Sequence, residues 1–162
     1  MDELISVLLL GAGATAAMDL WGLARRPLLG WPVPDYSQVG RWVGHMSHGQ
    51  FRHTAISTAP PIAGERALGW VVHYLTGIVF AWLLVLLAGR DWLQSPGWEA
   101  PLAVGIGSLI APFLLMQPAM GAGIAAHRTA NPTRARIQSL ISHTVFGMAL
   151  YATAEVLRLI TI

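Results

Sequence analysis

Four long apolar runs, separated by polar connections, organise the chain, and they cover roughly 4–24, 69–88, 101–126 and 137–160. The stretches 67–89, 100–127 and 137–154 contain no Asp, Glu, Lys or Arg. About 20 apolar residues rising 1.5 Å each cross a hydrocarbon layer of about 30 Å. The pattern therefore predicts an all-α, polytopic membrane protein with four transmembrane helices. Short connections after the second and third helices make it an antiparallel bundle, a single transmembrane domain over 1–162. The first run is preceded by Met1, Asp2 and Glu3, acidic where a signal peptide is basic, so it reads as a retained helix. Pro112 and Pro118 each remove an amide donor inside the third run and predict a bend there.

The connection 25–68 is the one long loop. Asp35 followed three residues later by Gln38 resembles a capping box, and Val39, Trp42, Val43 and Met46 recur at helical spacing. That predicts a short amphipathic helix on the membrane surface, ended before Pro60 and Pro61. Arg25, Arg26, Arg41, Arg52 and Arg66 lie in or beside this loop, and Arg128, Arg134 and Arg136 beside the connection between the third and fourth helices. The opposite side has only Arg90 and Arg158. Basic residues stay on the cytoplasmic side, so both Arg-rich connections are expected in the cytoplasm and both termini outside.

Composition sharpens this picture. The chain is 54% hydrophobic and 11% charged with a mean hydropathy of +0.54, against about 25% charged residues in soluble domains. A soluble fold is excluded, and the bilayer becomes the first partner. Cys is absent, which removes disulfides, thiolate metal sites, iron–sulfur clusters and Cys nucleophiles. All ten basic residues are Arg, which removes Schiff-base chemistry and a phosphate-binding lysine. A net charge of +2 is too small to indicate nucleic acid as a partner.

Candidate chemistry then rests on the few polar groups inside the apolar runs. Gly11, Gly13 and Ala16 superficially match a dinucleotide fingerprint, but no second strand follows, so no βαβ unit exists to give it meaning. Gly11, Thr15, Asp19 and Gly22 instead form a small-residue stripe that lets another helix approach, and Gly105, Ser108, Gly121 and Gly123 suit the same role in the third helix. Asp19, His73 and His143 lie on three helices at similar depths, on the order of 6–10 Å below the cytoplasmic boundary by residue count. Gln117 lies in the same half and His127 marks its inner edge. Intramembrane ionisable groups face inward and mark function, so this layer predicts a cytoplasm-side cavity with metal ligands, haem ligands or a proton relay. In the loop, His45, His48 and His53, with Glu65 as a possible fourth group, form a second candidate set for a transition metal ion. Ser142 beside His143 lacks the Gly-x-Ser-x-Gly elbow of a serine hydrolase.

Several local motifs carry a family resemblance. They are Thr15-Ala-Ala-Met-Asp-Leu-Trp-Gly22, Gly40-Arg-Trp-Val-Gly-His-Met46, Phe51-Arg52-His53, Gly64-Glu-Arg-Ala-Leu-Gly-Trp70 with His73-Tyr74, Met116-Gln117-Pro118, and Ser142-His143 with Phe146-Gly147. Over nearly the whole chain this resembles a bacterial family of small four-span inner-membrane proteins known by a domain-of-unknown-function label, and the first helix is similar to YagU-type membrane proteins. The resemblance implies location and topology without a mechanism. Three functional readings follow: a metal or haem site built on His73, His143, Asp19 and Gln117; transport of a small solute or proton by a homo-oligomer; or an accessory subunit docking a partner in a membrane complex.

Overall fold

A computed structural model describes residues 2–161, and among these there is helix but no strand. The first helix, α1 (Glu3–Leu29), starts where the Asp2 carboxylate accepts the Leu4 amide at 3.1 Å. It stops at Gly30, whose left-handed φ of 64° lets its amide reach the Arg26 carbonyl, a conformation glycine adopts without a Cβ penalty. Helix α2 (Tyr36–Met46) occupies the long connection. Helix α3 (Glu65–Ala88) ends at Gly89. Helix α6 (Pro132–Thr161) has Pro at its first position and Asn131 accepting the Arg134 amide at 3.0 Å, the arrangement expected of a helix start.

The third apolar run is not one helix. It comprises α4 (Glu99–Gly107), a turn, a π-helical segment (Ala111–Met116) and a three-residue α5 (Gln117–Ala119). Pro112 has no amide to give to an α ladder, and the Gln117 amide reaches back five residues to the Pro112 carbonyl instead. The bend expected from the prolines is thus realised as a change of helix type.

Among the described residues, four segments are long and apolar enough to cross a membrane: Glu3–Leu29, Glu65–Ala88, Glu99–Ala119 and Pro132–Ile160. Their outer surfaces are oily, with Leu20, Leu75, Trp82, Leu87 and Ile110 all exposed. So many exposed large apolar side chains suit a lipid environment rather than water. The helices begin or end a few residues beyond the apolar runs, because the helical backbone continues through polar flanks such as Arg25 and Arg26 until a cap stops it.

Two compact units make up the chain. Among the described residues, the first takes in 2–33, 74–108 and 141–161. Its core is Val7, Leu10, Ala14, Leu84, Val104, Phe146 and Leu150. Small residues set its helix contacts. A Cβ on Gly11 would stand 2.5 Å from the Ile78 Cα, and one on Gly105 would stand 2.6 Å from both the Gly147 Cα and the His143 carbonyl oxygen. The second unit takes in 34–73 and 109–140 and packs around Trp42, Ile56 and Ala119. Gly121 and Gly123 belong to this unit, past the end of α5, with φ of 96° and 74°. They form a turn, not the helix-packing stripe expected of them.

Candidate functional site

The second unit holds a buried histidine pair. Helix α2 is nucleated by Asp35, whose carboxylate accepts the Ser37 amide at 3.0 Å and the Gln38 side chain at 3.3 Å. Its last turn carries His45. The chain then reverses through Gly49, at φ 76°, so that 51–56 runs back past the helix. The His53 amide donates to the Ala119 carbonyl at 2.8 Å, and the Ile56 amide to the Met120 carbonyl at 3.0 Å. Trp42 Nε1 donates to the Phe51 carbonyl at 3.0 Å. These bonds hold His53 against His45, with Nδ1 of His45 and Nε2 of His53 2.7 Å apart and ring centroids 4.9 Å apart. Their exposures are only 8% and 9%.

Hydrogen-bond accounting assigns the protons. His45 Nε2 lies 3.1 Å from the Pro60 carbonyl, which can only accept, so Nε2 carries the hydrogen. A neutral imidazole has one N–H, so His45 Nδ1 is the acceptor and His53 Nε2 donates to it. His53 Nδ1 is buried, and the Ala119 carbonyl faces the ring. Gln117 Oε1, in the same unit, is a buried acceptor without a donor.

Beside the pair, Arg41 and Glu65 form a fork: Nε to Oε2 at 2.8 Å and Nη2 to Oε1 at 2.7 Å. Arg41 Nη1 also donates to the carbonyls of Ile56 at 3.2 Å and Ala59 at 3.0 Å, and Glu65 accepts the Ile62 amide at 3.0 Å. His73 stacks on Tyr36, with centroids 4.0 Å apart, and meets the edge of Trp70.

The first unit holds the other intramembrane groups. Ser108 Oγ donates its single hydrogen to the Gly105 carbonyl at 2.6 Å. It therefore accepts from His143 Nδ1 at 2.7 Å, which leaves Nε2 of His143 as the lone pair. Arg25 is buried, with Nη2 donating to the Pro32 carbonyl at 2.7 Å and Nη1 3.4 Å from Ser142 Oγ. Asp19 is hydrogen bonded to the Tyr74 hydroxyl. An open cavity of about 270 Å³ in this unit is lined by Glu3, Arg90 and Arg158 among others. Its arginines are paired, Arg90 with Glu3 at 3.1 Å and Arg158 with Glu155 at 2.8 Å.

The expected sets are therefore redistributed. His45 and His53 meet, while His48 is exposed and bonded to its neighbour Ser47, and Glu65 is committed to Arg41. Asp19 and His143 belong to one unit, His73 and Gln117 to the other. Among the described residues no three His, Asp or Glu side chains gather as a metal site. Arg41, Tyr36 and Ser108 are partners that spacing alone did not reveal.

Burial, and next the charge of His45, push His53 below its ordinary value, while the Ala119 carbonyl partly opposes this. The folded state thus favours the neutral ring. Stability from this group is fully present above the unfolded value of about 6.5 and is lost as pH falls through the lower folded value. Thermal unfolding in detergent should therefore reach a lower midpoint at pH 5 than at pH 7, with a smaller difference for His53→Gln. Equal differences in the two proteins would show that His53 is not the group responsible.

The family model described as "Protein of unknown function (DUF2938)" matches residues 8–157. The chain belongs to the DUF2938 family. The match takes in both histidine-bearing regions. No curated protein and no solved structure matches the chain.

Proposed function

We propose that this DUF2938 member is a multi-pass protein of the bacterial cytoplasmic membrane that moves a proton or a small protonated solute across the bilayer, working as a homo-oligomer. The interrupted third apolar segment carries the reading. Continuous helices satisfy their own backbone in lipid, whereas broken and π-helical segments are tolerated where backbone is buried in protein or lines a water-filled path. Discontinuous helices are also where transporters place their binding sites. The buried acceptor Gln117 Oε1 belongs to the same unit as the π-helical stretch and adds a group that needs a hydrogen donor. Four spans are few for one transport path, which is why assembly in copies is part of the proposal.

Reconstituted into liposomes with a trapped pH indicator, the protein should dissipate an imposed proton gradient faster than empty liposomes do. Flux equal to that of empty liposomes, or crosslinking that yields only monomers in native membranes, would count decisively against it.

Eight Arg on one side against two on the other support cytoplasmic placement of the His-bearing loop. Because the chain has no Cys, single-cysteine labelling reads this directly. Gln94→Cys, at an exposed site, should react with an impermeant maleimide in intact cells, and His48→Cys, also exposed, only after permeabilisation. The reverse pattern would invert the topology.

A metal or haem site is the second reading. The Ser108 contact presents His143 Nε2 as a ligand atom oriented through its other nitrogen, an arrangement typical of metal-bound histidine. It is a single donor, and the described residues do not fit a transition metal ion that needs about four. Metal analysis and an absorption spectrum of the purified protein test it. A Soret band abolished by His143→Ala would revive the haem reading.

A further inference from the structure

We infer that the open cavity of the first unit binds the headgroup of a phospholipid, a phosphodiester linked to a primary ammonium; this rests on the membrane placement and is independent of transport. The cavity, of about 270 Å³, lies where α1 begins, α3 has just ended and α6 approaches its end. Sites for drug-sized molecules run from about 300 Å³ upward, so this one suits a smaller polar group. Each element that lines it supplies one charge: Glu3 from α1, Arg90 from the short helical turn Arg90–Leu93 that follows α3, and Arg158 from α6.

Hydrogen-bonding capacity divides by element. Ser6, only 8% exposed, donates its hydroxyl to the Asp2 carbonyl at 3.1 Å, so toward the cavity its Oγ can only accept. The Glu3 carboxylate is likewise an acceptor, and α1 therefore offers acceptors alone. Arg90 spends Nε on Glu3 Oε2 at 3.1 Å, and its two terminal nitrogens make no bond within the described residues. Arg158 sets Nε and Nη2 on a single oxygen of Glu155. Both guanidinium groups can only donate, and they come from the other two elements. The Arg90–Glu3 pair is largely exposed, and exposed pairs contribute little, so it can yield to a ligand that satisfies each partner separately.

Charge narrows the class. Glu3 and Glu155 balance Arg90 and Arg158, so the set is neutral and matches a zwitterion better than a purely anionic headgroup. Quaternary ammonium groups are recognised by aromatic faces, and no aromatic side chain lines the cavity among the described residues. A primary ammonium instead has hydrogens for Ser6 Oγ and Glu3, while the phosphate meets Arg90 and Arg158. The flanks point to a lipid as the source. Leu4 adjoins Glu3, Leu87 lies three residues before Arg90, Leu159 adjoins Arg158, and all three leucines are exposed. Leu93 and Leu157 carry that apolar surface into the lining. Charged groups thus stand directly beside oily helix surface, the level at which headgroups sit above their acyl chains.

The test is native mass spectrometry of the full chain in mild detergent, given phosphatidylethanolamine, phosphatidylcholine or phosphatidylglycerol with identical acyl chains. One phosphatidylethanolamine should be retained per chain, at about threefold higher occupancy than either other lipid, the scale of a partly exposed charge pair. Arg90→Gln should weaken retention of both phosphatidylethanolamine and phosphatidylglycerol. Glu3→Gln should remove the preference for ethanolamine over glycerol without moving the unfolding midpoint. Glu99→Gln, exposed at the start of α4 and outside the lining, should bind as the parent does. Equal retention of the three lipids, or parental retention by either Arg90→Gln or Glu3→Gln, would overturn the site. Displacement of the bound lipid by an equal concentration of glycerophosphoethanolamine, which has no acyl chains, would overturn the lipid source in favour of a soluble ester. Selective retention in a protein that shows no proton flux would support this site and overturn transport alone.

Discussion

Replacing Gly40 or Gly69 with alanine should strongly disrupt the second unit. A Cβ on Gly40 would fall onto the Glu65 carbonyl oxygen and stand 2.6 Å from the Gly69 amide nitrogen. A Cβ on Gly69 would fall onto the Tyr36 carbonyl oxygen and stand 3.2 Å from the Gly40 amide nitrogen. The two glycines thus mark one backbone-to-backbone contact between α2 and the start of α3. Nothing at that contact is a flexible side-chain end that could swing away, so the helices themselves must part. Overpacking typically costs 1–3 kcal/mol, and here the upper end applies, about 3 kcal/mol. For a chain of this size that corresponds to a fall of roughly 6–12 °C in unfolding midpoint. Gly107→Ala is the matched control, since a Cβ there meets nothing within 4 Å. A thermal-shift series in one detergent decides the matter: equal midpoints for Gly40→Ala, Gly69→Ala and Gly107→Ala would show that the close contact does not exist. Because His45 rides on α2, both damaging variants should also loosen its contact with His53.

What could be read without the structure followed how local the physics is. The start of α2 was legible because a capping carboxylate acts within three residues, and Asp35 does accept from Ser37 and Gln38. The Gly11–Thr15 stripe was legible because spacings of three and four define a helix face, and that face does meet Ile78 and Gly77. Partners distant in sequence were not legible. His53 lies eight residues after His45, while His48 lies only three after it. The reversal at Gly49 decides otherwise, and a glycine directly after a helix end was the one available signal. Likewise Pro112 and Pro118 announced a bend, but proline content does not tell a kink from a π-helical stretch. Counting depth from loop charges set His73 beside Asp19 and His143. Depth fixes a height along a helix and says nothing of which side chain it stacks on, and His73 stacks on Tyr36. The polar partners that organise the second unit, Arg41 above all, lay in a loop whose charge had been read only as an orientation signal.

The Arg41–Glu65 fork should be the most sensitive ion pair in the chain, and arginine should not be replaceable by lysine there. Arg41 binds both carboxylate oxygens through Nε and Nη2 while Nη1 holds the Ile56 and Ala59 carbonyls. A lysine ammonium is a point charge on a flexible stem and cannot hold a planar carboxylate and two loop carbonyls at once. Arg41→Lys should therefore lower the unfolding midpoint nearly as far as Arg41→Gln. Glu65→Gln should do similar harm, because it strands a guanidinium that the Ile56 and Ala59 carbonyls alone must satisfy. Removing both partners as Arg41→Met with Glu65→Leu should cost less than the sum of the single changes, since no unpaired charge remains. The pair Arg90–Glu3 supplies the contrast: its side chains are 81% and 41% exposed, and exposed pairs contribute little, so Glu3→Gln should leave the midpoint almost unmoved. A double-mutant cycle in detergent measures all of this, and additive effects at Arg41 and Glu65 would refute the fork as a coupled unit. The consequence reaches the histidines. Glu65→Gln leaves the Arg41 charge uncompensated near the pair, which disfavours a proton on His53, so protonating His53 should require a lower pH than in the parent protein. A stability defect alone would not move that titration, and the two readouts together separate a clamp that merely holds the loop from one that also sets the charge around the histidine pair.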